Sequence, residues 1–346
     1  NLVRLFGPLF IVTERIEMEQ ANKAERSSVE AVYSLIEGDL KNIIDNELLP
    51  EEYGNEDKGR IDVWTVKTLL AKVYLTLGRL GEARTLLLDV EKNSGYRLVE
   101  DSYEKVFSIS NEMNEEMMFV IRFKAGGLGL GSPFANYFAP NNSFDVIVNS
   151  GGNGYNCPTT DLLDAYDPED KRKDVTVGWT WINQKGETVY VGYVKKYLSQ
   201  VITQYDAEND WPVIRFADVI LMLAEIENEL TGPSAGLPYL NQTRTRAGLD
   251  ALIGADVPDK NAFRLALEKE RRLEFAYENQ RLFDLVRTGR LVDVMKKHYD
   301  AEQIANTGTG NMTSYYGDPK NESYLQEEYR TLQSWQTLLP IPYTVM

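Results

Sequence analysis

Apolar positions recur every three or four residues from 28 to 49, through Val29, Val32, Ile36, Leu40 and Ile43. That spacing places them on one face of a helix. Ser27 or Ser28 stands where an N-cap is wanted, Glu30 falls in the first turn, and Pro50 closes the segment. Val63, Val66, Leu70, Val73 and Leu77 form a second stripe and predict a helix over 62–77. Ala83, Leu86, Leu87 and Val90 predict a third, ending near Asn93. Gly78 frees the turn between the two, and small Ala71 and Ala83 allow their axes to approach. Two helices joined so tightly form a unit of the tetratricopeptide kind. One such pair cannot bury its own face, so neighbours are required.

The pattern then changes twice. EEMMFVIRF predicts a strand at 117–123, after which Lys124 to about Asn209 reads as Gly- and Asn-rich loops. Within it, Thr160 or Asp161 caps a short helix, and alternation around Lys185-Gly186 predicts a hairpin of 176–183 with 187–194. Helical spacing returns at Val213 and runs to Leu230, where Gly232-Pro233 breaks it. Further helices are expected over 234–246, 259–279 and 281–297, followed by a polar, Tyr-rich tail. The expected fold is mostly α: a tetratricopeptide-like helical-repeat scaffold with a loop-rich variable region containing short β-strands. The scaffold comprises 1–123 and 213–299, the variable region 124–212. Residues 300–346 pack back as a C-terminal loop segment, and the whole of 1–346 is read as a single domain.

Composition narrows the chemistry. The formal charge of −16 argues against a nucleic-acid partner and against docking on an anionic membrane through a basic patch. No run approaches the length of a membrane span. One cysteine, Cys157, removes an intrachain disulfide, and one histidine, His298, nearly removes Ser-His-Asp, Cys-His and multi-His zinc chemistry. His298 follows Lys296 and Lys297 at a helix end, where a cation suits the dipole. The run KAGGLGLGSP lacks the Lys-Ser/Thr ending and the strand–Gly–helix context of a phosphate loop. Neither 164–174 nor 206–210 has calcium-loop spacing, so no cofactor is expected, a structural calcium ion being the one alternative left open.

The densest charge lies in two runs, RFADVILMLAEIENEL from Arg215 and ERRLEFAYENQRLFDLVRTGRL at 270–291. Glu270 with Glu274, and Glu274 with Glu278, are like-charge pairs one turn apart, so pairing within the helix is not the full explanation. A structural ion network is expected from Arg215, Asp218, Glu225, Glu270, Arg271, Glu274, Glu278, Arg281, Asp284 and Arg287, with Arg244 and Arg246 as further partners. Paired carboxylates can also act as glycosidase acid and base. Arginine neighbours keep carboxylates ionised, which is wrong for a general acid. No catalytic residue is assigned.

With those residues in view, the chain resembles the SusD/RagB family. IRFADVILMLAE at 214–225, LNQTRTRAGL at 240–249, the 270–291 run and LPIP at 339–342 stand in the family's order. LVRLFGPLFI at 2–11, AKVYLTLG at 71–78 and PTTDLLDAYDPEDKRKD at 158–174 are also family-like, so the likeness covers essentially the whole chain. Gln280 and Thr288 depart from the residues usual at their positions.

The resemblance implies a non-catalytic surface lipoprotein of the outer membrane. Such a protein captures an oligosaccharide and delivers it to a TonB-dependent transporter resembling SusC. Peptide or glycopeptide capture, as in the RagB branch, is the alternative, and a helical-repeat protein–protein adaptor is a third reading. The resemblance also implies a preceding segment with the lipidated cysteine and part of the ligand site. Contact with a membrane is then expected only through a lipid anchor that this chain does not carry.

The family's ligand rests on aromatic side chains, which suit the apolar faces of sugar rings while polar neighbours meet the hydroxyls. That implies a site built from Tyr137, Phe138, Phe144, Tyr155, Trp179 and Trp181, rimmed by Asn141 and Asn153. Period-two alternation puts Trp179 and Trp181 on one hairpin face. Tyr315 and Tyr316 in the tail are further candidates.

Overall fold

A computed structural model describes residues 1–298 apart from 55 and 101, together with residue 338. The LPIP run at 339–342, Tyr315, Tyr316 and the C-terminal segment from 300 lie outside the described residues, Leu338 aside. In chain order the helices are α1 (Leu2–Phe6), α2 (Met18–Ala21), α3 (Val29–Asp45), α4 (Val63–Thr76), α5 (Leu80–Asn93), α6 (Tyr103–Phe107), α7 (Phe134–Phe138), α8 (Thr160–Ala165), α9 (Arg172–Thr176), α10 (Phe216–Leu230), α11 (Pro233–Arg246), α12 (Lys260–Glu274) and α13 (Arg281–Arg287). The strands are β1 (Met117–Ile121), β2 (Val177–Gly178), β3 (Trp181–Ile182), β4 (Thr188–Val189), β5 (Tyr193–Val194) and β6 (Trp211–Arg215). The protein is mostly helical, and its strands form two-stranded antiparallel ladders.

The chain divides into two compact units, 1–38 with 282–346, and 39–281. In the first, the Arg4 guanidinium lies 3.8 Å from the centre of the Phe283 ring. Helix α13 stops at Arg287, short of the expected 297. Gly289 (φ 70°) takes the left-handed conformation, and Gly289 N–H and Arg290 N–H donate back to Val286 O (3.1 Å) and Leu285 O (2.8 Å). This closure satisfies carbonyls the helix would leave open. A separate helical stretch resumes at 291.

The second unit is built on the α4–α5 pair and on α10, which packs against α5, α11 and α12. Asp62 caps α4 by accepting from Thr65 N–H at 2.8 Å. The helix ends with Gly78 (φ 74°), and Arg79 N–H donates to Tyr74 O at 2.8 Å. Ala71 and Ala83 are fully buried, as expected where two axes come close. Helix α10 is apolar on almost every side, with Val219, Leu221, Leu223, Ala224 and Ile226 all buried. It is therefore an interior helix, not a surface one.

Other boundaries also differ from the sequence reading. Residues 211–215 form strand β6, paired with β1 through Met117–Arg215 and Ile121–Trp211, so Arg215 precedes α10 instead of lying within it. Helix α12 stops at Glu274, not 279. Tyr277 and Asn279 turn left-handed (φ 66° and 59°). The carbonyls released there find side-chain donors: Tyr103 Oη to Glu274 O at 2.6 Å, Lys196 Nζ to Ala276 O at 2.9 Å, and Tyr197 Oη to Tyr277 O at 3.2 Å. Helix-end carbonyls need such partners when buried.

Candidate functional site

Two constellations stand out, one buried and charged, the other exposed and aromatic. The first surrounds the end of α12. Glu274 is fully buried and takes hydrogen bonds from Arg172 (3.2 Å), Arg215 (3.1 Å) and Arg246. Arg215 also reaches Glu278 at 2.7 Å and Glu116, while Arg246 reaches Glu116 at 2.6 Å. Arg172, itself fully buried, bonds Asp170 at 2.8 Å and Glu270 at 2.6 Å. Lys196 adds a bond to Glu278 at 2.8 Å. A neighbouring knot joins buried Asp218 to Lys72 (2.6 Å) and Arg271 (2.9 Å).

The electrostatics suit structure, not acid–base work. Burial on its own would raise the Glu274 carboxyl, but Arg246, Arg215 and Arg172 outweigh it and hold it well below the usual range. Asp218 is likewise buried, and Lys72 and Arg271 hold it far down. Burial pulls the Lys196 ammonium down to about 8 against the opposing pull of Glu278. A general acid needs the reverse, a carboxyl that keeps its proton near neutrality.

The remaining residues of the expected network lie elsewhere. Arg281 pairs with Glu268 at 3.0 Å, and Asp284 with Arg287 at 3.7 Å within the other unit. Glu225 is half-buried on α10 and adds to the negative surroundings of Arg264, which bonds Glu229 at 2.5 Å. Sequence reasoning missed Glu116, Asp170, Arg172, Lys196 and Lys72, which reach the network from outside the two charged runs.

The second constellation lies in the loop region. Tyr137, half-buried on α7, has Tyr155 at 5.4 Å and Tyr205 at 5.3 Å between ring centres, inclined by 46° and 53°. Tyr155 is 51% exposed and Tyr205 38%. Tyr155 N–H donates to Tyr137 O at 2.8 Å, which lays the 153–155 loop along α7. Tyr205 Oη donates to Asn153 Oδ1 at 3.1 Å, so an amide stands at the edge of the rings. Gln204 Nε2 donates to Ser150 O at 3.0 Å, tying the two loops together. Three phenol rings with amides at their margin offer apolar faces and hydrogen-bonding rims side by side.

The candidates separate under this geometry. Tyr137, Tyr155 and Asn153 come together. Phe144 (57% exposed) and Asn141 are exposed in the preceding loop. Phe138 is buried and leaves the set: α7 sends it, with Phe134 one turn earlier, into a core with Tyr197 and Trp211. Trp181 is buried as well, whereas Trp179 is 40% exposed. They differ in burial, and the hairpin ladder is interrupted at 179–180. Gly178 pairs with Tyr193 and Trp181 with Val189, so 179–180 stand opposite 190–192 and the odd residue shifts the register. Tyr205 was missed. Its segment TQYDAEND was weighed only for calcium, and Asp206 instead accepts Gly126 N–H (2.9 Å) and Gly127 N–H (2.8 Å). Among the described residues no helix is long and apolar enough to cross a membrane, and no group of three acidic, His or Cys side chains is arranged for a metal ion.

The helical scaffold is tetratricopeptide-like, as in solved SusD-like structures. Residues 178–346 match the model of the SusD family. SusD-like protein P25 of Formosa agariphila is 25% identical over 91% of this chain and 66% of its own length. A SusD-like protein of Bacteroides ovatus is 27% identical over 86% of this chain and 58% of its own length. The chain thus spans less than two thirds of these relatives. Among solved structures, a laminarin-binding SusD-like protein is similar with a TM-score of 0.72 and 26% identity, covering 90% of this chain and 70% of that one. Surface glycan-binding protein A from Bacteroides thetaiotaomicron, in complex with laminarihexaose, shares the fold with a TM-score of 0.75 at 20% identity, covering 99% and 72%. The chain is therefore similar to SusD-like proteins over most of its length, and its match to the family model covers residues 178–346.

Proposed function

We propose that this protein captures an oligosaccharide, without chemistry, on the Tyr137, Tyr155 and Tyr205 rings. It then hands the glycan to a partner TonB-dependent transporter at the outer membrane. The observation that carries the reading is the exposed tyrosine cluster, set in loops and edged by Asn153. Sugar C–H faces stack on phenol rings, and the amides meet the hydroxyls. Two similar proteins are described by laminarin or laminarihexaose binding, which makes a β-glucan the first ligand to test. The absence of chemistry is supported by Arg-held carboxylates such as Glu274, which stay ionised and buried. In this reading 124–212 carries the ligand, and the helices around it form the scaffold that meets the transporter. Placement at the cell surface, through a lipid anchor, rests on family likeness.

Affinity electrophoresis through gels containing laminarin or another polysaccharide tests the proposal. The wild type should be retarded by at least one glycan, and Tyr155→Ala should migrate as in an empty gel. Retardation unchanged in Tyr155→Ala would move the site elsewhere. Sugar released during incubation would make the protein an enzyme.

A further inference from the structure

The tyrosines lie on three separate stretches of chain, and one buried side chain touches all three. Asn136 is fully buried on α7, beside Tyr137. Its Nδ2 donates to Asn149 O at 3.0 Å and to Gly151 O at 2.7 Å. Its Oδ1 accepts Tyr205 N–H at 2.8 Å, and its own backbone carbonyl accepts Asn153 N–H at 2.9 Å. Both amide protons and the amide oxygen are therefore engaged, each on loop backbone.

The loops it holds are strained where it holds them. Tyr205 has φ 64° and Ser150 φ 66°. Left-handed backbone at a bulky residue persists only where the surroundings over-determine it. The Asn136 amide supplies that determination from inside, and it specifies orientation. A carboxylate offers no donor, and an alanine offers neither donor nor acceptor.

We infer that Asn136 is the positioning residue of the tyrosine platform: it fixes Tyr205 and the 149–153 loop against Tyr137 before any ligand arrives. It touches no ligand itself. A preformed platform binds more tightly than one that must be ordered on contact, since ordering costs are not charged to binding. The inference rests on the proposed glycan site for its consequence, but the setting of Tyr205 is measurable without a ligand.

The experiment uses the protein labelled with 3-fluorotyrosine, the Tyr205 signal being assigned by its loss in Tyr205→Phe. The ¹⁹F spectrum is read beside titration with laminarihexaose and thermal melting. Asn136→Ala should shift or broaden the Tyr205 signal and weaken binding about tenfold or more. Asn136→Asp keeps the acceptor for Tyr205 N–H and loses both donors, so it should weaken binding while leaving the Tyr205 signal near its native position. It serves alone if the alanine variant does not fold. Leu87→Ala, a fully buried scaffold change, should lower the melting temperature yet leave signal and affinity unchanged. A native Tyr205 signal with native affinity in Asn136→Ala overturns the inference, as does the same loss of signal and affinity in Leu87→Ala. Should the wild type take no laminarihexaose, that glycan assignment fails while the Tyr205 signal still decides the role of Asn136.

Discussion

The charged core and the tyrosine loops use polar residues in opposite ways. Around Glu274 the polar groups are ionised, buried and saturated, with Arg172, Arg215 and Arg246 converging on one carboxylate. Around Tyr137 they are neutral, mostly backbone, and leave two ring faces in solvent. The first arrangement fixes where distant parts of the chain meet, among them 116 next to β1, 170–172 at α9, Arg215 of β6, Arg246 of α11 and the end of α12. The second leaves surface for a ligand. Charge density marks the buried scaffold here, and under the proposed function the low-charge loops carry the binding surface.

The largest test of that division is Arg215→Met. It leaves Glu278, Glu274 and Glu116 buried around an apolar side chain, and breaking a buried pair from one side costs about 3–5 kcal/mol. Urea unfolding should show that loss. If the variant is as stable as the wild type, the network is not what holds the α12 end. Tyr205→Ala should do the reverse, lowering glycan affinity by roughly 2 kcal/mol, as for an exposed aromatic hot spot. Its melting temperature should hardly move. A large drop in melting temperature with affinity retained would make Tyr205 structural.

Acid separates the regions next. Asp218 and Glu274 have folded values held below the ordinary carboxylate range, so the unfolded chain binds their protons more readily. Their contribution is complete above the ordinary range and is lost as pH falls through and below it. Urea midpoints should therefore drop between about pH 5 and about pH 3. A flat profile would contradict the assignment.

The smallest effect has the opposite sign. Burial, with Asp210 nearby, pushes the Glu112 carboxyl up from 4.5 to about 7. A raised carboxylic value means stability that is present below 4.5 and lost as pH climbs to about 7. Glu112→Gln should flatten that part of the profile slightly. No change in slope would show that Glu112 ionises freely.

Much of the scaffold was legible because helices repeat their signal. Gly78, Ala71 and Ala83 marked a tight pair, and the structure places them at its turn and crossing. The end of α12 was not legible, since Tyr103, Lys196 and Tyr197 stop it by binding its carbonyls from far away in sequence. The interruption at 179–180 was hidden for a similar reason: alternation reports a period, not the odd residue on the facing strand. Of the aromatic site, Tyr137 and Tyr155 could be chosen by composition among Gly and Asn. Tyr205 could not, because its links to the others, the ring contact with Tyr137 and the bonds to Asn136 and Asn153, join residues more than fifty positions apart.

The most direct measurement is calorimetric titration of the wild type and Tyr155→Ala with laminarihexaose, with melting curves on the same samples. The wild type should bind. Tyr155→Ala should lose at least about tenfold in affinity, roughly 1.4 kcal/mol, at an unchanged melting temperature. Equal affinity in the two proteins would contradict the tyrosine platform as the site of capture.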